Sequence, residues 1–126
     1  MRLRISLPLL ASLALGCSEK NPEPPRAFDP GPAPSDLAGG EGAFNRNCAS
    51  CHGNLALGSD RGPPLVHIIY EPNHHADESF RRAITLGVVA HHWSFGPMPA
   101  QSTVTAGEAE AIIRYVRWLQ SKAGIS

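Results

Sequence analysis

Residues 48–52 read Cys-Ala-Ser-Cys-His, the C-x-x-C-H spacing by which a polypeptide attaches a c-type haem. Two cysteines three positions apart lie on neighbouring sides of one helical turn. Cys48 and Cys51 can therefore each form a thioether with one vinyl group of the same porphyrin. His52 follows directly, and its neutral imidazole nitrogen can serve as the proximal ligand of the iron. The motif thus predicts one covalently bound haem c.

Composition weakens the alternatives to haem attachment. A C-x-x-C pair also occurs in thioredoxin-like redox proteins and in zinc sites, but no βαβ pattern and no second cysteine pair accompany this one. Three cysteines are also too few for a disulfide scaffold. The 126 residues carry 11 basic and 11 acidic side chains, so no excess of positive charge favours binding to nucleic acid. The length fits one folded domain.

The N-terminal segment has the pattern of an export signal. Arg2 and Arg4 precede an apolar run over residues 5–15, which is about half as long as the ~20 residues of a membrane-spanning helix. The tetrapeptide Ala-Leu-Gly-Cys that ends at Cys17 resembles a bacterial lipoprotein signal, in which the cysteine becomes the lipidated first residue. Ordinary signal cleavage nearby is the alternative. We expect residues 1–16 to be a signal peptide.

A proline-rich stretch follows the signal. Six of the 12 prolines fall between residues 18 and 37, where large apolar side chains are few. Such a stretch favours polyproline II, which extends by about 3.1 Å per residue. A disordered chain without this conformation is the alternative, and it would differ only in how far the linker can extend. The sequence therefore predicts a flexible linker over residues 17–36 and a folded domain over residues 37–126. We expect the domain to lie on the periplasmic side of a membrane, held by the lipid on Cys17. The outer membrane is favoured by resemblance alone, because Ser18 stands where aspartate is associated with inner-membrane retention in enteric bacteria.

Outside the pentapeptide, most of residues 37–122 resembles a class I c-type cytochrome of bacteria. Gly40 and Phe44 stand eight and four residues before the motif, where that family has a glycine and an aromatic residue on its N-terminal helix. Ile112 and Tyr115 resemble the C-terminal helix that crosses it. The resemblance implies an all-α cytochrome c fold, with three or more helices wrapped round one covalently bound haem.

The resemblance also suggests which residues lie around the iron. Gly62, Pro63 and Leu65 resemble the family's Gly-Pro-x-Leu segment, whose proline carbonyl accepts a hydrogen bond from the proximal histidine. That bond would fix the tautomer of His52 and raise its basicity. Met98 stands between two prolines, in a stretch that resembles the family's distal-ligand loop. Because prolines restrict φ, they lower the cost of ordering such a loop. The implied axial ligands are His52 and Met98.

Histidines are the main competitors of Met98 for the iron, and five besides His52 occur in the chain: His67, His74, His75, His91 and His92. If His91 or His92 bound the iron, the site would be bis-histidine with a lower potential. An open sixth position is a further alternative. A second metal site, for example for copper, could gather His74, His75, His91 and His92. Two simpler explanations of these histidines need no second metal. They are that the residues merely lie on the surface, or that one ring forms a hydrogen bond with a haem propionate near Trp93.

Two long helices are predicted at the ends of the domain. The first has a face at helical spacing, formed by Leu37, Gly40, Phe44 and Cys48. The second, over residues 106–122, has an apolar stripe of Ala109, Ile112, Ile113, Val116 and Leu119. Thr105 and Glu108 form a capping box at its start, and Gly124 lies just past its end. Because a glycine inside a helix costs about 1 kcal/mol relative to alanine, Gly40 indicates close backbone contact between two helices.

A shorter helix is predicted over residues 78–86, with Asp77 as its N-cap and Gly87 as its terminator. Its inward-facing residues are expected to be Phe80, Ala83 and Ile84. Residues 65–70 form an apolar run that is too short for periodicity to distinguish a strand from a helical turn.

If the protein fills both axial positions, substrate has no coordination site and the remaining chemistry is one-electron transfer at the iron. The sequence therefore favours a non-enzymatic, monomeric electron carrier whose partners are other redox proteins. Two alternatives stay open. One is a haem enzyme or gas sensor with an exchangeable sixth position, and the other is a redox subunit fixed in a larger complex.

Overall fold

The structure, a computed structural model, describes residues 28–125. It contains four α-helices, which are α1 (Ala38–Asn47), α2 (Ala49–His52), α3 (Asp77–Leu86) and α4 (Ala106–Lys122). Short 3-10 helices cover Ser35–Leu37, Asn54–Ala56 and Ile68–Tyr70. No helix within residues 28–125 has the length and apolar character needed to span a membrane. The expected signal peptide and Cys17 lie outside the described residues.

Helices α1 and α4 pack directly against each other and form the main core. A side chain at Gly40 would collide with the backbone carbonyl of Ala111 on α4, so the prediction of close helix contact at this glycine is confirmed. One turn further along α1, the ring of Phe44 lies 5.7 Å from that of Tyr115, and both side chains are buried. The crossing fixes the end of α1, which leads directly to Cys48.

The bounds and the cap of α4 agree with the sequence prediction. The hydroxyl of Thr105 accepts a hydrogen bond of 3.2 Å from the Glu108 amide, and the Glu108 carboxylate accepts one of 3.1 Å from the Thr105 amide. The predicted apolar stripe is buried, as is Gln120 near its end. The Gln120 amide donates to the carbonyls of Leu65 at 2.8 Å and Tyr70 at 3.1 Å. This polar side chain therefore holds the segment over residues 65–70 against α4.

The start of α3 differs from the prediction. Asp77 is the first residue of the helix and not its N-cap; Ala76 takes the cap position, with no side-chain hydrogen bond. The Asp77 carboxylate instead accepts a hydrogen bond of 2.8 Å from the guanidinium of Arg117 on α4. Arg117 also donates to the carbonyls of Tyr70 and His75, at 2.7 and 2.5 Å. The Asp77 carboxylate is attracted to the largely buried guanidinium of Arg117, and this attraction competes with the capping of α3 that the sequence predicts for it.

The apolar run over residues 65–70 ends in the 3-10 helix and contains no strand. On α3, Ile84 is buried while Phe80 and Ala83 are half-buried. Contacts to the core also begin before residue 37, because Phe28 and Ala33 pack against it. The described part of the expected linker is therefore in contact with the helices.

Candidate functional site

A cavity of about 650 Å³ lies among the helices, within the usual size range of cofactor pockets, roughly 300–1,000 Å³. Apolar side chains from three parts of the fold line it, among them Phe44, Leu65, Ile112 and Val116. Of the five residues predicted to hold the haem, four also line this cavity: Cys48, His52, Pro63 and Met98. A second cavity, of about 200 Å³, is lined by Cys51 together with Cys48, His52 and Met98. The fold thus brings the C-x-x-C-H motif and the distant methionine to the same space.

The motif sits at the junction of α1 and α2. The Cys48 amide donates to the Phe44 carbonyl at 2.8 Å, which continues the hydrogen bonding of α1 into the motif. Cys48 and Cys51 are half-buried free thiols. Burial, and to a smaller degree the neighbouring Cys51, raises the pKa of the Cys48 thiol to about 11. Helix α2 ends at Gly53, whose φ of 76° suits glycine and lets the chain turn away after His52.

The imidazole of His52 is oriented by one backbone bond. Its Nδ1 lies 2.9 Å from the carbonyl oxygen of Pro63, so Nδ1 carries the proton and donates it to this carbonyl. Nε2 is then left as the nitrogen with a free lone pair. Burial lowers the pKa of His52, against the opposing effect of the Pro63 bond, and so favours the neutral ring that binds a metal. Gly62 permits this approach, because a side chain there would press on the Cys51 carbonyl.

Met98 is held by backbone bonds that the sequence did not reveal. Val88 and Met98 form an isolated antiparallel bridge, with two N–H···O bonds of 2.9 Å. Three residues later the Gln101 amide donates to the Ile84 carbonyl of α3 at 2.8 Å, so the chain is anchored both at Met98 and just beyond it. Gly87, with φ of 78°, makes room for the Met98 carbonyl. This glycine was predicted only as a helix terminator.

The histidines fall into two groups. His67 packs edge-on against Trp93, with ring centroids 5.1 Å apart. The other four, here called the histidine cluster, are His74, His75, His91 and His92. Their adjacent ring centroids lie 4.3 to 6.1 Å apart, and all four line the larger cavity. Partial desolvation and repulsion by the other three rings lower the pKa of His92.

The side chains around the cavity fit haem c chemically. Two thiols at the motif can form the thioethers, and a neutral imidazole and a thioether sulfur are both common axial ligands of haem iron. The apolar lining suits a porphyrin, because exclusion of water from the cavity is one of the ways in which a protein sets the reduction potential of a haem.

Comparison with known proteins gives one family. The Cytochrome c family model matches residues 37–120, which covers α1, all but the last two residues of α4, the C-x-x-C-H motif and Met98. No curated protein matches the chain, and no solved structure matches it. The family match, with four helices and no strand among residues 28–125, confirms the all-α fold expected from the sequence.

Proposed function

The chain belongs to the cytochrome c family, a family of haem-binding electron-transfer proteins, and from this premise we propose that it carries single electrons on one covalent haem c. In this proposal Cys48 and Cys51 hold the porphyrin, and His52 and Met98 are the axial ligands. The observation that supports it best is that one cavity is lined both by His52, from the end of α2, and by Met98, from a loop near α4.

When bound, the haem supplies a metal centre that gains and loses one electron. The chain's own residues position and shield that centre. The Pro63 carbonyl keeps the proton of His52 on Nδ1, so that Nε2 can face the iron. The Val88 bridge fixes the backbone of Met98. Because each ligand has its own backbone restraint, we expect little rearrangement when the charge of the centre changes.

Ligation by Met98 is tested by the optical spectrum of the ferric haem-loaded protein. We expect a far-red sulfur-to-iron charge-transfer band that Met98→Ala abolishes. Ser94→Ala is the control, because this exposed residue lies in the same loop and lines neither cavity. His91→Gln and His92→Gln should also keep the band. Absence of the band in the unsubstituted protein, together with a spectrum changed by either histidine variant, would contradict the assignment and favour bis-histidine ligation.

The carrier is further proposed to be a monomeric, class I bacterial cytochrome exported by residues 1–16 and held at the periplasmic side of a membrane through a lipid on Cys17. The signal pattern and the proline-rich stretch support this proposal. A tether keeps a small carrier at high local concentration near membrane-bound redox partners. Mass spectrometry of the mature N-terminus tests it. We expect a diacylglyceryl cysteine, and Cys17→Ser should move the protein from the membrane fraction to the periplasmic one.

A further inference from the structure

We propose that His74, His75 and His92 form a binding site for a divalent late first-row transition metal ion at the exposed edge of the haem cavity. One ring nitrogen from each of these residues lies within 4.8 Å of the other two. His74 and His92 are exposed, so an ion can reach them from solvent, and His75 is half-buried behind them. The site is separate from the proposed axial ligands His52 and Met98, and it rests on the proposed function in one respect, namely that His92 is not the sixth ligand of the iron.

The spacing suits a metal ion after a small adjustment. An ion with imidazole ligands at about 2.0–2.1 Å requires its ligand nitrogens to approach each other by on the order of 1 Å from the separation seen. Rotation of two exposed side chains can supply that movement. Three neutral imidazoles suit Cu²⁺, Ni²⁺ and Zn²⁺, and among these Cu²⁺ binds most tightly to a given nitrogen site.

A backbone bond orients one of the three ligand rings, that of His75, for a metal. Nδ1 of His75 donates to the Ile69 carbonyl at 2.6 Å, which fixes the ring and leaves the lone pair on Nε2. His91 has the same arrangement, with Nδ1 2.9 Å from the Val89 carbonyl. A neutral ring bonded in this way has no second N–H to donate. Its outer nitrogen can therefore bind a cation but cannot donate a hydrogen bond to a haem propionate.

The site joins two segments that border the cavity. His74 and His75 lie in the turn before α3, which Arg117 ties to α4 through the His75 carbonyl. His92 lies in the loop between the Val88 bridge residue and Met98. A bound ion would cross-link the turn to this loop, and so restrain the backbone that carries Met98.

The test uses the haem-loaded chain in the ferric state, with Cys17→Ser so that no free thiol competes. In this state the haem has no electron to give to Cu²⁺. Titration calorimetry with Cu²⁺ should show one ion per chain, and electron paramagnetic resonance should show nitrogen ligands. His74→Gln and His92→Gln should each weaken the affinity by about tenfold or more, since loss of even an outer-shell partner costs that much. His67→Gln, outside the cluster, should leave it unchanged.

A second measurement uses Zn²⁺, which has no redox chemistry. An ion that binds only the folded state raises the Tm. Zn²⁺ should therefore raise the Tm of the unsubstituted protein and have little effect on the Tm of His92→Gln. Three results would overturn the proposal. One is Cu²⁺ binding that is equal in the unsubstituted protein and in the double variant of His74 and His92. Another is an equal loss of affinity in His67→Gln. The third is disappearance of the far-red sulfur band on addition of Cu²⁺, which would place the ion on the Met98 thioether.

Discussion

Val88 and Met98 are joined by two backbone hydrogen bonds of 2.9 Å, although they come from opposite ends of the loop that borders the haem cavity. The bridge restrains the backbone of Met98 independently of its side chain. A thioether is a weak ligand for iron, and a loop that is already ordered loses less entropy when the sulfur binds. The bridge in turn depends on Gly87, which leaves space for the Met98 carbonyl.

We predict that Gly87→Ala weakens the proposed ligation of the iron by Met98. An added Cβ would lie 2.5 Å from the Met98 carbonyl oxygen, so the bridge must shift. The far-red band of the ferric protein should decrease, and carbon monoxide should bind the ferrous protein faster. Gly124→Ala is the matched control, because Gly124 also has positive φ, 76°, a methyl group added there would meet no atom within 4 Å, and it lies outside both cavities. Equal effects of the two substitutions would show that backbone strain, and not the bridge, is responsible.

Two adjacent glycines of α1 should respond oppositely to alanine. Gly40→Ala places a methyl group against the Ala111 carbonyl, and we expect it to lower the free energy of unfolding by about 1–3 kcal/mol. Gly39→Ala meets no atom within 4 Å and should raise it by about 0.5–1 kcal/mol, because alanine favours the helix. Guanidinium unfolding of the haem-loaded proteins measures both changes. Stabilisation by Gly40→Ala would contradict the close contact between α1 and α4.

Replacing Arg117 should destabilise the fold, because the groups that it binds would then lack a hydrogen-bond partner. Replacement by glutamine removes donors from the Tyr70 and His75 carbonyls and from the Asp77 carboxylate. We expect a loss of about 2–4 kcal/mol in the free energy of unfolding. The control is Arg114→Gln, an exposed position on the same helix, which should change stability by less than about 0.5 kcal/mol. Similar losses in both variants would indicate a general effect of charge on α4.

Tyr115 should make the protein less stable in alkali. Burial, with a smaller effect of the Glu41 carboxylate, raises the pKa of Tyr115 from 10.0 to about 12. The folded state therefore holds this proton more tightly than the unfolded state does. This contribution to stability is complete below pH 10 and decreases as the pH rises from 10 to 12.

Unfolding measured from pH 8 to pH 12 tests this effect by comparison with Tyr115→Phe. The difference in stability between the two proteins should narrow above pH 10, because phenylalanine has no proton to lose. A constant difference across the whole range would mean that Tyr115 does not ionise with an altered pKa.

The features that could be predicted from the sequence are those whose signal is local. Spacing within five residues identified the haem attachment motif, and the Thr105 capping box located the start of α4. Gly40 revealed the helix crossing because a glycine inside a helix is costly unless something requires its small size. In each case the physical cause acts within a turn or two of backbone, so it leaves a pattern in neighbouring residues.

Features that depend on residues far apart in the chain became visible in the folded structure alone. Arg117 draws Asp77 away from the capping role expected of it, across 40 residues. The Val88 bridge to Met98 is made by backbone atoms, which carry no mark of side-chain identity. The sequence could group four histidines, but only the fold brings the nitrogens of His74, His75 and His92 within 4.8 Å of one another. Such contacts are set by how the helices pack round the cavity, and residue type alone does not encode that geometry.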